Sequence, residues 1–304
     1  MWIALVACIE ILRFWLVLSA LRQQSLFVGW TGFVAYAVLD WLFFYVVLAV
    51  ADAYFPLFPN TNWRKNTRLG NFLRRRINMT FRNLDQEPIP KPAVFACHSH
   101  GVMATGQLLA FMMYPEDCPE LDNAAASTTA VISSQMWMFP LTSVVCRLLG
   151  ARPVSEFEAL VKSGTPVVSS VGGTKEMSLT AQDTAEMIHI RKHTGFLRIC
   201  YNYDRPVVPL VVLGNHTLYD ILKHPLLESL QRFHSRLLGY GMPIVALGAY
   251  GTILPKSGAS VQILRLPAFR KLGDETVADY TERYYKSLVD YAMRDATTVV
   301  LVEE

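Results

Sequence analysis

Two apolar runs open the chain. Residues 2–21 are interrupted only by Glu10, Arg13 and Ser19, and residues 26–51 carry a single charge, Asp40. Between them lies the short polar break Arg22-Gln23-Gln24-Ser25. A helix rises about 1.5 Å per residue, so roughly 20 apolar residues cross a hydrocarbon layer of about 30 Å. Both runs reach that length, and the pattern predicts a transmembrane helical hairpin over residues 1–52. Met1-Trp2-Ile3-Ala4 lacks the basic start of a cleaved secretory signal, and a second apolar run follows at once. Glu10, Arg13 and Asp40 are costly against lipid and leave a re-entrant or interfacial hairpin open. A hairpin packed in a protein core is the remaining alternative.

From about residue 90 the pattern changes to short apolar strands alternating with helical segments. Strands are predicted at 93–97, 127–132, 167–171, 206–213 and 261–264. Helices are predicted at 101–113, 136–149, 156–162 and 195–203. Residues 274–292 carry Val277, Tyr280, Tyr284, Leu288 and Tyr291 at helical spacing. Such alternation predicts an α/β fold, with a mixed, largely parallel sheet flanked by helices. Residues 215–249 are irregular and rich in Leu, His and Arg.

The segment between these regions, residues 53–90, reads as a basic interfacial linker. Its aromatic and proline exit, Tyr54-Phe55-Pro56-Leu57-Phe58-Pro59, precedes Arg64, Lys65, Arg68, Arg74, Arg75, Arg76 and Arg82, with no acid until Asp85. Cations beside an apolar segment mark a cytosolic flank and attract anionic headgroups. A solvated basic linker is the plainer reading of the same residues. Nucleic acid is not expected as a partner, because no reading module accompanies the run. Composition sharpens this picture: 52% of residues are apolar and 17% charged, against roughly 45–50% and 25% in ordinary globular proteins. The net charge of +3 implies no polyanion partner. The five cysteines (Cys8, Cys97, Cys118, Cys146, Cys200) lack metal-ligand spacing and fit reduced thiols.

Chemistry is expected at the strand ends of residues 91–304, read as the catalytic domain. No G-x-S-x-G elbow, Walker loop or G-x-G-x-x-G is present. Cys97-His98-Ser99-His100-Gly101 follows the first strand, where an imidazole can take a proton from a hydroxyl near neutral pH. Gly101 permits a tight turn into a helix N-terminus, whose amides can hold an oxyanion. Taken alone, this turn suits a structural role equally well. A metal on Cys97, His98 and His100 would lack a clear fourth ligand. Gly172-Gly173-Thr174-Lys175-Glu176 follows another strand; its glycines allow close approach of a phosphate or thioester oxygen. A plain strand-exit turn is the alternative there. The basic patch Arg191-Lys192-His193-Thr194-Gly195-Phe196-Leu197-Arg198 suits the phosphates of an anionic cofactor, and an ordinary surface helix is the alternative there.

Taken in order, these three patches, with Val208-Pro209-Leu210-Val211 and Gly214 after them, resemble the diacylglycerol/monoacylglycerol acyltransferase family. This is the HPHG-bearing branch of the lysophospholipid acyltransferase-like superfamily. The resemblance spans roughly residues 50–295. It implies transfer of a fatty acyl group from acyl-CoA to a lipid hydroxyl, with no bound cofactor and no metal. By that resemblance His98 is the general base, His100 positions or polarises, and Glu176 orients the histidine or the substrate. Gly101, Gly172 and Gly173 would offer backbone amides, and Lys175 and Arg198 would meet the CoA phosphates. The implied partners are acyl-CoA, a neutral lipid acceptor and a membrane, with homo-oligomers open. The implied location is the endoplasmic reticulum membrane, with the catalytic domain facing the cytosol. Diacylglycerol or monoacylglycerol is the expected acceptor. A wax- or sterol-ester-forming enzyme, a lipid hydrolase and an inactive lipid-binding homologue are the alternatives. Two positions depart from the family pattern: Ser99 replaces the proline of HPHG, and Leu213-Gly214-Asn215 replaces F-G-E. Restoring proline at position 99 is expected to be tolerated.

Overall fold

A computed structural model describes residues 68–85, 87–101, 104–111, 128–137, 146, 150–173, 176, 186–190, 194–221, 225, 229, 246–249, 254–295 and 299–303. The chain divides into two compact units, Met1–Pro59 and Asn60–Glu304. The expected hairpin at 1–52 lies outside the described residues. Among those described, no helix is long and apolar enough to cross a membrane.

The second unit is built on a seven-stranded sheet. In chain order its strands are β1 (Thr80–Asn83), β2 (Val94–His98), β3 (Thr129–Ile132), β4 (Arg152–Pro153), β5 (Val167–Ser170), β7 (Val207–Leu213) and β10 (Gln262–Arg265). They lie side by side in the order β1-β10-β7-β2-β5-β3-β4. The β10–β7 pair is antiparallel, and all other pairs are parallel. The expected mixed, largely parallel sheet is therefore present. Two smaller pairs stand apart: β6 (Glu186–Ile190) with β11 (Val299–Glu303), and β8 (Asp220–Ile221) with β9 (Ala246–Leu247).

Strand alternation sorts the core into two layers. Phe95 and Cys97 of β2 and Val208, Leu210 and Val212 of β7 face one side, where they meet α1 (Arg68–Arg76) through Leu73 and α2 (Thr105–Phe111) through Leu109 and Phe111. Val94 and Ala96 of β2 and Val207 and Val211 of β7 face the other. There they meet α3 (Phe157–Lys162), α4 (Gly195–Asn202) and α5 (Val277–Asp295) through Phe157, Leu197, Cys200, Tyr280, Tyr284 and Leu288. Both faces are covered, so the central strands read as nearly continuous apolar runs.

The expected linker at 53–90 needs correction. Its second half forms α1 and β1, and β1 extends the main sheet beside β10. The fully buried Arg265 of β10 reaches past the end of β1, donating to the Asp85 carboxylate at 3.0 Å and to the Glu87 carbonyl. The cations of residues 68–82 are thus carried on the folded unit itself.

Candidate active site

β7, β2 and β5 are adjacent and parallel, so their carboxyl ends open at one edge of the sheet. That edge is where open α/β sheets place ligands. It gathers the turn after His98, the glycines after Ser170 and the Gly214-Asn215 turn after Leu213.

The turn after β2 is unusual. Ser99 has φ +65° and Gly101 has φ +64°, so left-handed residues bracket His100 on both sides. The Ser99 carbonyl accepts from the Gln107 side-chain amide at 3.0 Å and from the Asn215 amide at 3.3 Å. Asn215 also donates to Gln107 Oε1 at 3.1 Å, and its Oδ1 accepts from the Gly106 amide at 3.1 Å. Asn215 is fully buried and uses both ends of its amide. An ionised carboxylate there could only accept, so the departure from F-G-E secures this turn. Gly101 is packed close: a Cβ built on it would lie 2.7 Å from Asn215 Cβ.

Glu176 clamps the turn from the other side. Its fully buried carboxylate accepts from the His100 backbone N–H at 2.9 Å. To reach it, the side chain folds back over Gly172, where a Cβ would lie 1.6 Å from Glu176 Cδ. That overlap is a physical reason for glycine four residues before the glutamate. Gly173 continues the turn with φ +56°.

The two imidazoles differ sharply. His100 is half-buried, and its Nδ1 lies 3.0 Å from the Gly101 carbonyl. A carbonyl can only accept, so Nδ1 carries the proton and Nε2 keeps its lone pair. Burial lowers the His100 pKa, partly opposed by that carbonyl. His98 is 1% exposed, with Nε2 2.8 Å from the Tyr284 hydroxyl and a buried Nδ1 without a partner. Burial pushes its pKa down to about 3, and burial holds the Tyr284 phenol well above its usual range. Both groups are neutral at pH 7. Tyr284 is fixed by edge-on contacts with Phe196, Phe269 and Tyr285, at centroid distances of 5.8, 5.2 and 5.4 Å.

His98, His100, Gly101, Gly172, Gly173 and Glu176 thus meet at one edge. Lys175 lies outside the described residues. Arg198 is exposed on α4, away from the buried Leu197 and Cys200. Cys97 and His98 point to opposite faces of β2, so the alternative that shares a metal between them loses its geometry. Among the described residues no group of three or more His, Cys, Asp or Glu could hold a metal ion. Tyr284, Gln107 and Asn215 bond to this turn and its histidine, and the sequence pattern did not mark them as site residues. Tyr284 stands in the helical apolar stripe, and only its hydroxyl hints at a polar task.

The diacylglycerol acyltransferase family model matches residues 34–263. The chain belongs to that family. It is 25% identical over 158 residues to human 2-acylglycerol O-acyltransferase 1, covering 50% of this chain and 47% of that protein. Over 213 residues it is 23% identical to diacylglycerol O-acyltransferase 2 of Dictyostelium discoideum, covering 65% of this chain and 64% of that one. The chain thus spans about half to just under two thirds of these relatives' lengths. Among solved structures, the 1-acyl-sn-glycerophosphate acyltransferase PlsC of Thermotoga maritima resembles it with 12% identity and a TM-score of 0.44, covering 85% of this chain and 97% of that one.

Proposed function

We propose that the protein moves a fatty acyl group from acyl-CoA to the free hydroxyl of diacylglycerol or monoacylglycerol, at the cytosolic face of the endoplasmic reticulum membrane. The observation that carries this reading is a neutral imidazole with an open acceptor nitrogen, held at the sheet edge by a buried carboxylate on its backbone. A histidine of the H-x-H-G turn takes the proton of the acceptor hydroxyl while its oxygen attacks the thioester carbonyl carbon. The C–S bond then breaks, and the same imidazole returns the proton to the departing CoA sulfur. Such base catalysis contributes about 10²–10⁴-fold. Backbone amides of Gly101, Gly172 and Gly173 are available donors around the reacting oxygen. Arg198 is exposed and free to meet CoA phosphates, with Lys175 as a second cation.

The test supplies full-length protein in detergent micelles with radiolabelled long-chain acyl-CoA and a panel of acceptors. The panel holds diacylglycerol, monoacylglycerol, a fatty alcohol, a sterol and no acceptor. We expect one acyl ester formed per CoA thiol released, with the two glycerides as the best acceptors. CoA release that is independent of any acceptor would identify a hydrolase. Transfer only to the fatty alcohol or sterol would move the acceptor class.

A further inference from the structure

The hydrogen bonds around the two histidines are opposite in sense. His100 spends its Nδ1–H on the Gly101 carbonyl and leaves Nε2 as an open acceptor. Among the described residues, the one hydrogen-bond partner of the His98 ring is the Tyr284 hydroxyl at Nε2. Two arrangements fit that contact. If His98 Nε2–H donated to the phenol oxygen, the phenol hydrogen and the Nδ1 lone pair would both be buried without partners. If the phenol donates to Nε2, one group is left over, the Nδ1–H. Buried donors and acceptors are costly to leave unmade, so the second arrangement prevails. The phenol's pKa, raised well above its usual range by burial, keeps it protonated and able to donate.

We propose that Tyr284 is the positioning residue of the site: its hydroxyl holds His98 in the tautomer whose Nδ1–H donates to the thioester carbonyl oxygen, while Nε2 of His100 takes the acceptor's proton. This rests on the acyl-transfer reading above and divides the work between the histidines. A neutral imidazole serves as an electrophilic donor when it is too buried to charge, and negative charge gathers on the carbonyl oxygen as the hydroxyl attacks. The leftover Nδ1–H of His98 gains in that moment the partner it lacks in the free protein. His100 is the more exposed of the two and keeps its lone pair, which is what a base requires. Tyr284 can hold His98 because its own ring is caged by Phe196, Phe269 and Tyr285. The Arg283 guanidinium lies 4.0 Å over the Phe269 ring and forks onto Glu275, bracing the same face.

Two measurements test this. In full-length protein labelled with ¹⁵N-histidine in detergent micelles, both His98 and His100 should carry their proton on Nδ1. The signals are assigned through His98→Asn and His100→Gln. Tyr284→Phe should move His98 alone toward the Nε2–H form. It should also lower kcat roughly tenfold and leave the KM for acyl-CoA unchanged. A role limited to packing would not move the tautomer. In kinetics, His100→Gln should lose at least about 10²-fold in rate. His98→Asn keeps an N–H where Nδ1 stood and should stay within about tenfold of wild type, with the acidic limb of the pH–rate profile intact. His98→Leu, which keeps no donor, should lose about 10²-fold. Wild-type His98 found as the Nε2–H tautomer would overturn the proposal. So would His98→Asn falling as far as His100→Gln. The spectra need no turnover, so a wild-type protein without transfer activity would remove the acyl-transfer reading and leave the tautomer assignment to stand or fall by itself.

Discussion

The turn depends on the backbone of Ser99. At φ +65° it occupies a region that costs a non-glycine residue about 1–2 kcal/mol, and its carbonyl collects the two amide donors of Gln107 and Asn215. Proline's ring holds φ near about −65° and cannot reach that region. The expectation that proline would be tolerated here is therefore reversed. Ser99→Pro should flip the carbonyl away from both amides, displace His100, and cost at least about 10²-fold in transfer rate together with a lower thermal midpoint. Ser99→Gly, which is at home at positive φ, should keep activity within a few-fold of wild type. Parallel rate and melting measurements on the two variants decide the matter. A fully active Ser99→Pro protein would mean that residue 99 holds a negative φ in solution. The histidines, glycines and Glu176 were legible as a site because their residue types announce chemistry. The sign of φ at Ser99 was not, since nothing in a serine's identity reports it.

The elements that sequence reading recovers best are those buried on both faces. Val94–His98 and Val207–Leu213 are apolar nearly throughout. β1 was missed because Thr-Phe-Arg-Asn has no buried face to betray it; three of its four residues are exposed and the fourth is only partly buried. It belongs to the sheet through its pairing with β10 and the Arg265–Asp85 ion pair, whose partners lie 180 residues apart in sequence. Breaking such a buried pair typically costs about 3–5 kcal/mol, because one charge is left unpaired. Tyr284 was read as core for a related reason: helical spacing reports which face is buried but says nothing of the strand end that face meets. α1 offers the next prediction. Leu73 and Ile77 point into the core, whereas Phe72 is 51% exposed and Arg75, three residues on, is exposed beside it. Residues three apart share a helix face, so an aromatic and a cation stand together on the outside of the folded unit. That pairing suits an anionic lipid surface. In a flotation assay with vesicles containing phosphatidylserine, Phe72→Ser combined with Arg75→Ala in a chain lacking residues 1–52 should reduce the bound fraction several-fold. Unchanged flotation would assign this face to another purpose.

At the scale of the molecule, the second unit holds a complete seven-stranded sheet and a hydrophobic layer on each of its faces. The unit should therefore fold without the apolar N-terminal segment. Removing residues 1–52 should leave a cooperatively melting α/β protein, with a thermal midpoint within a few degrees of the full chain in the same detergent. Attachment should then separate into two kinds. The full chain should resist carbonate extraction, as an inserted hairpin does. The truncated chain should bind anionic vesicles only through its basic segment and exposed aromatics, and release as salt rises. Screening lengths fall from about 10 Å at 0.1 M to about 3 Å at 1 M, enough to silence surface cations that a hydrophobic anchor would not need. A glycosylation acceptor placed in the break at Gln23–Ser25 refines the result. Modification there requires the break to reach the lumen and thus two full spans, whereas a re-entrant hairpin would leave the acceptor bare. If the full chain itself washes off with carbonate, residues 1–52 are packed against protein, and the membrane attachment proposed here is wrong.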